Sequence, residues 1–216
     1  MISSDEKREL LMELCKEYIH CKKCIMGERD KVFGSGNINA DLMFIHISPG
    51  EDEESEMAPL AGSGGSIFNA LLEKVGLKRN EVYVSNLTLC RSVEADNINK
   101  NRIPNSLEVS NCIDRLNKEI YIIDPKVIVL LGQPPIQYLV RQDKTSLSNA
   151  RGKVQLVTVP GKEGAIIYPA LATWPIAYLL RNPSVVVKDP LHDCLCDYAK
   201  ALELSKIYKE KTGVLV

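Results

Sequence analysis

Residues 41–50, DLMFIHISPG, form the most informative segment for the fold of this chain. Its mostly apolar run from Asp41 to Ile47 predicts a buried strand, and Ser48-Pro49-Gly50 predicts a tight turn where that strand ends. Outward from this stretch, further apolar runs predict more strands. They are Val82 to Ser85, Val127 to Leu131 (closed by Gly132), Val154 to Val159 and Ala165 to Tyr168.

Helical periodicity separates these strands. The predicted helices are Asp5 to Ile19, one that opens at Gly65, Leu107 to Ile123, Gln133 to Arg141 and Pro190 to Tyr208. The acidic run from Glu51 to Glu56 is predicted to be a solvated loop. Alternating strands and helices predict a three-layer α-β-α sandwich with a mostly parallel central sheet. Functional loops are then expected at the carboxyl ends of the strands.

Length and composition limit the class of protein. The chain has 216 residues with 45% hydrophobic and 25% charged side chains, which predicts a single domain over residues 1–216. A net charge of −1 argues against a strongly basic nucleic-acid binder, so any DNA binding needs a local basic patch. The polar N-terminus lacks an apolar signal core, and no run is long enough to span a bilayer, so we expect a cytoplasmic protein.

Seven cysteines are many for a chain in a reducing compartment, and their odd number favours metal binding over disulfides. Cys21 and Cys24 form a C-x-x-C pair after the first helix, Cys90 follows a strand, and Cys112 is expected to open the next helix. This pattern suits a 4Fe–4S cluster. Zinc is the alternative, although zinc ligands usually come as two close pairs. The other three cysteines, Cys15, Cys194 and Cys196, are interpreted as packing residues.

An ordered series of motifs runs along most of the chain. Its members are His46 to Gly50, Glu53-Glu54, Ala58 to Gly62, Glu81 to Cys90, Asp124 to Gly132, Ala150-Arg151-Gly152 and Tyr178 to Pro183. The series resembles the iron–sulfur branch of the uracil-DNA glycosylases, often called family four. The resemblance implies a uracil-DNA-glycosylase-like fold and hydrolysis of the N-glycosidic bond of uracil or another altered base. It also implies a structural 4Fe–4S cluster and a monomer whose partner is single- or double-stranded DNA.

The chain departs from the family at three positions. Ile47 stands where the family has the carboxylate of Gly-Glu-x-Pro-Gly. Trp174-Pro175 replaces its His-Pro, and Leu60 replaces the aromatic residue of Pro-Phe-Val-Gly. An isoleucine cannot orient water, and a tryptophan donates only through its indole N–H. The predicted catalytic residues are therefore Asp52 and Glu53, just past the Pro-Gly turn, and His46, just before it.

The resemblance also implies a pocket and a DNA-binding surface. The pocket residues are Ile47, Ser48, Pro49, Gly50, Leu60, Asn86 and Trp174, with Asn86 reading the edge of the base. The DNA-binding residues are Gly62, Gly65, Arg151 and Arg181, and the two glycines permit close approach of the DNA backbone or tight packing. Two alternatives stay open. The pocket is reshaped for a modified base that stacks on Trp174, or the protein is a non-catalytic DNA-binding or replication and repair accessory protein.

Overall fold

The computed structural model describes residues 2–140, 145–182 and 189–211. The strands in these ranges are β1 (Ser35–Gly36), β2 (Leu42–His46), β3 (Tyr83–Asn86), β4 (Val127–Leu131), β5 (Val154–Gly161) and β6 (Gly164–Thr173). They form one sheet in the order β1-β3-β2-β4-β6-β5. The four inner strands are parallel to their neighbours, and β1 and β5 are antiparallel at the two edges. The prediction of a mostly parallel sheet is confirmed.

Helices cover both faces of this sheet. They are α1 (Ser4–Tyr18), α2 (Glu51–Glu56), α3 (Ser63–Lys74), α4 (Ser106–Ile123), α5 (Gln133–Leu139), α6 (Leu147–Ala150), α7 (Ile176–Arg181) and α8 (Pro190–Lys211). Alternate residues of β4 enter two separate cores: Ile128 packs with α4, α5 and α6, and Val129 packs with α3, α7 and α8. Both faces of the sheet are therefore buried, and the predicted three-layer sandwich is confirmed. Across the ranges given above, no helix combines the length and apolarity needed to cross a membrane.

The prediction of an acidic loop after the Pro-Gly turn is wrong, because residues 51–56 form helix α2. The backbone N–H of Gly50 donates to Glu53 Oε2 at 2.9 Å, which fixes the first turn. Four of its five acidic side chains, Glu51 to Glu54, lie in the first turn, where the helix dipole favours negative charge. Met57 ends it in the left-handed conformation, with a φ of 54°.

Other boundaries differ from the sequence prediction. Helix α3 begins at Ser63 instead of Gly65, and Cys112 lies in the second turn of α4 instead of at its start. Helices α6 and α7 were not predicted, because four to six residues carry too little periodicity to detect. Arg141, the predicted end of α5, lies outside the described residues, as does Pro183 of the motif series.

Candidate active site

A cavity of about 650 Å³ opens where the parallel strands end. It is lined by residues 46–53 after β2, residues 101–103 before α4, residues 133–134 after β4 and residues 174–178 after β6. Parallel strands bring their carboxyl ends to one edge of a sheet, so loops distant in sequence meet there. This cavity therefore lies where the sequence predicts the functional loops.

Most of the predicted site residues meet in this cavity. It is lined by His46, Ile47, Ser48, Pro49, Gly50, Asp52, Glu53, Leu60, Trp174 and Arg181. Four predicted residues do not line it: Gly62, Gly65, Asn86 and Arg151. A Cβ on Gly65 would lie 2.1 Å from the Leu60 carbonyl oxygen, so tight packing within the chain explains that glycine. A DNA contact by Gly62 or Gly65 stays a prediction.

His46 and Asn86 form a polar pair at the ends of β2 and β3, where they are register partners. His46 lines the cavity, and Asn86 beside it is fully buried. By strict hydrogen-bond geometry, neither amide atom of Asn86 nor Nδ1 of His46 has a partner among the described residues, although the two side chains lie close enough for Asn86 to affect the pKa of His46. Burial lowers the pKa of His46, although Glu53 and Asn86 oppose the shift. The imidazole is therefore neutral at neutral pH and can donate one N–H.

The two candidate carboxylates differ in their surroundings. Glu53 is buried, and its Oε2 is already bonded to the Gly50 N–H, so this carboxylate holds the turn and the start of α2. Asp52 is exposed on the same helix and also lines the cavity. Its Oδ2 lies so close to Gly62 that a Cβ there would be 2.0 Å away. Asp52 is thus the carboxylate available to a bound molecule, and Gly62 makes room for it.

Trp174 is held by its own chain. Its indole N–H donates to Asp193 Oδ2 at 2.9 Å, its ring stacks on Tyr178 with centroids 5.0 Å apart, and the Arg151 guanidinium lies 5.3 Å from its centroid. Arg151 also pairs with Asp193 at 2.6 Å and with Asp197 at 3.1 Å. The indole donor is therefore in use, and the Arg151 charge is already balanced by two carboxylates. A phosphate contact by Arg151 stays a prediction.

Sequence reasoning missed a buried ion pair behind this site. Arg115 is fully buried in α4, and its Nη1 lies 2.6 Å from Glu119 Oε2. Its Nη2 donates to the backbone oxygen of Asn86 at 2.7 Å and to that of Leu87 at 3.3 Å. The available signal was the spacing of four residues between Arg115 and Glu119 within the buried stripe of a helix. This pair fixes the end of β3, which carries Asn86.

A second set of charges ties α2 to the cysteine segments. Glu54 lies 3.5 Å from Arg29 Nε and 3.6 Å from Arg91 Nη1, and Arg91 Nη2 lies 3.3 Å from Glu51. Arg29 follows the C-x-x-C pair, and Arg91 comes directly after Cys90. Arg91 and Glu54 are mostly shielded from solvent, whereas Glu51 is exposed, so these contacts hold α2 in place chiefly through Glu54. The position of α2, and with it of Asp52, therefore depends on both cysteine segments.

The four predicted metal ligands gather in one region. They are Cys21, Cys24, Cys90 and Cys112. Cys90 and Cys112 are buried, and Cys90 packs in one cluster with Cys21 and Cys24. Burial raises the pKa of the Cys90 thiol to about 12, Lys31 opposes this, and the other three thiols add to it. In the described part of the chain, no three His, Cys, Asp or Glu side chains are arranged as ligands of a metal ion.

The fold and cavity define an α/β protein with an open cavity at the carboxyl edge of its mostly parallel sheet. The family model described as the uracil DNA glycosylase superfamily matches residues 33–198. Three relatives are each a type-4 uracil-DNA glycosylase with 32% identity. They come from Sulfurisphaera tokodaii (81% of this chain, 78% of the relative), Archaeoglobus fulgidus (74% and 79%) and Thermotoga maritima (82% and 87%). The chain therefore belongs to the uracil DNA glycosylase superfamily.

Proposed function

We propose that this chain is a DNA glycosylase that hydrolyses the N-glycosidic bond of uracil or another altered base in DNA. The observation that carries the proposal is the polar pair beside the cavity, His46 and Asn86, whose buried Nδ1 and amide atoms make no well-formed hydrogen bond to any residue that the structure describes. Buried polar groups without partners are rare, because each costs about 1–3 kcal/mol. A base taken out of the DNA stack presents donors and acceptors along its edge, and these can satisfy such groups.

The chemistry assigns different tasks to the residues around the cavity. As the glycosidic bond breaks, positive charge develops on the sugar and negative charge on the leaving base. The Asp52 carboxylate, exposed in the cavity, stabilises the sugar cation and orients the attacking water. The neutral His46 donates an N–H to the departing base, and the Asn86 amide reads the base or orients His46. Glu53 positions α2 through Gly50 and does not contact the reacting atoms.

The test is formation of abasic sites by the iron-loaded chain on single-stranded and duplex DNA carrying a panel of altered bases. We expect excision of at least one base, and Asp52→Asn to lower its rate about tenfold, the effect of one charge in a partly hydrated site. Glu56→Gln is the matched control, because Glu56 is exposed on the same helix but does not line the cavity. The rate should be the same in that control as in the unaltered chain. No excision on the whole panel would overturn the proposal.

We propose further that Cys21, Cys24, Cys90 and Cys112 hold a 4Fe–4S cluster. The donor set fits, because four thiolates are the usual ligands of such clusters. A thiol whose pKa is raised by burial, such as Cys90, stays protonated unless a metal ion replaces its proton. The cluster would join the segment after α1, the loop after β3 and helix α4. By joining these segments, the cluster would fix the positions of Arg29 and Arg91, which pair with Glu54 and thereby hold α2 in place.

Metal content tests the cluster. We expect about four irons per chain after anaerobic purification, with the visible absorbance of an iron–sulfur cluster and little zinc. Cys112→Ser should lose most of the iron and lower the melting temperature, because the buried thiols no longer share a metal. Cys196→Ser is the control, since Cys196 is exposed on α8 and should not affect iron content. One zinc ion per chain and no iron would instead support the tetrahedral zinc alternative.

A non-catalytic DNA-binding or accessory protein is the second candidate function. The observation that favours it is the pair of departures from the family pattern, Ile47 and Trp174, the second of which already donates its N–H to Asp193. Retained binding to DNA with no excision of any base on the panel would support this function. The two candidates are therefore separated by the same assay.

A further inference from the structure

Lys31 is a buried cation close to the four thiols. Its relative exposure is 5%. The next residue, Val32, donates its backbone N–H to the oxygen of Leu89 at 2.9 Å, which places this segment beside Cys90. In agreement, the charge of Lys31 opposes the rise that burial causes in the pKa of the Cys90 thiol. Lysine is almost never fully buried unless it is paired, so the position of Lys31 needs a physical explanation.

Hydrogen bonds explain only part of this burial. The Nζ of Lys31 donates to the carbonyl oxygen of Gly27 at 2.7 Å and to that of Arg29. Gly27 donates its own N–H to the Cys24 oxygen at 2.9 Å, so Lys31 closes the turn that follows the C-x-x-C pair. Both acceptors are neutral, and no carboxylate of the described residues forms an ion pair with Lys31. A buried charge without a partner of opposite sign is costly.

Lys7 shows how the same chain accommodates another buried lysine. It is 8% exposed, and its Nζ also donates to two backbone oxygens, those of Ile123 at 2.6 Å and Ile38 at 3.3 Å. Ile123 is the last residue of α4, where the helix dipole favours a positive charge, and the Asp124 carboxylate acts on Lys7 from the next position. Within the described ranges, Lys31 has neither compensation, because its acceptors lie in a turn.

We propose that Lys31 is the counter-charge of the thiolate-bound cluster and raises its reduction potential. Four thiolates outweigh the positive charge of an iron–sulfur core, so a cluster bound by the four cysteines is an anion. That anion would supply the opposite charge that the buried ammonium lacks. Reduction adds one more negative charge to the cluster, so a nearby cation favours the reduced form. The inference rests on the proposed cluster and concerns the charge of Lys31, not the shape of the turn.

The experiment measures the midpoint potential of the iron-loaded chain by titration between dithionite as electron donor and ferricyanide as acceptor, followed by visible absorbance. Lys31→Met and Lys31→Gln remove the charge, Lys31→Arg keeps it, and Lys7→Met is the matched control. At the potential where the unaltered cluster is half reduced, loss of the charge should lower the ratio of reduced to oxidised cluster about tenfold (~59 mV for one electron). Lys31→Arg and Lys7→Met should leave this ratio unchanged.

Iron content separates charge from turn geometry where a variant loses its cluster. Loss of iron in Lys31→Met and Lys31→Gln, with retention in Lys31→Arg, would support the counter-charge, because only arginine keeps the charge. An unchanged potential in the two neutral variants, or equal loss of iron in all three, would overturn it. A chain that excises no base but shows the Lys31-dependent potential would overturn the proposed glycosylase and support the counter-charge. One zinc ion per chain would overturn the cluster and this inference together.

Discussion

Replacing Asn86 with leucine is expected to stabilise the protein and abolish most of its activity. Leucine has nearly the shape of asparagine but no polar atoms. The two amide atoms of Asn86 are buried and have no partner in the described structure, so their removal should raise the free energy of unfolding by about 1 kcal/mol. Excision should fall about a hundredfold, the usual effect of losing one preorganised group in an active site. Chemical denaturation and the abasic-site assay measure the two effects.

Gln155→Met is the matched control for Asn86→Leu. Gln155 is also a buried amide whose oxygen has no partner in the described part of the chain, but it lies on the edge strand β5 and does not line the cavity. Its replacement should leave excision unchanged. If Asn86→Leu destabilised the chain and reduced activity only in proportion to unfolding, the amide would be a structural group and the assignment would be wrong.

Replacing Ile47 with glutamate is expected to increase uracil excision about a hundredfold, because it adds a charged group where the sugar develops positive charge. Ile47 lines the cavity, and its Cδ1 lies near Gly132, so the side chain points toward the other strand ends. The glutamate would stand at the family's carboxylate position. Steady-state excision of uracil from single-stranded DNA measures the gain.

Ile47→Gln separates charge from shape, because glutamine has the size of glutamate and no negative charge. It should give no increase. Adding Trp174→His to Ile47→Glu should raise the rate further. The Trp174 N–H is occupied by Asp193, whereas a histidine there offers an N–H that can bond to the departing base. Equal rates in the glutamate and glutamine variants would show that the cavity does not place this position near the sugar.

The acidic residues 51–56 show why the sequence pattern predicted a loop where the chain forms helix α2. A run of glutamate and aspartate normally indicates a solvated loop, and no apolar periodicity suggested a helix. Helix α2 forms because Glu53 caps Gly50 and because Glu54 meets Arg29 and Arg91 from distant segments. Those cations are far from α2 in the sequence, so only the assembled chain shows that this run is ordered.

Arg115 and Glu119 of α4 show that sequence pattern also fails to predict which charged residues are buried in the core. The sequence places Arg115 and Glu119 on a helix, but their depth is decided by the strands that pack against α4. Burial of such a pair is tolerated because each charge has several hydrogen bonds, including those of Arg115 to the end of β3. No single-sequence pattern specifies which backbone oxygens an arginine will reach.

The layers of the fold, the edge of the sheet where the cavity opens and the family all follow from the amino-acid sequence, because apolar runs and ordered motifs are local properties. Which of these residues are available for chemistry depends on the folded chain. It assigns Glu53 to the start of α2, occupies the Trp174 N–H with Asp193, and, within the described ranges, leaves the Asn86 amide without a hydrogen bond of good geometry. The physical reason is that hydrogen-bond satisfaction depends on atoms brought together from separate segments, and it is this satisfaction that separates a structural polar group from a functional one.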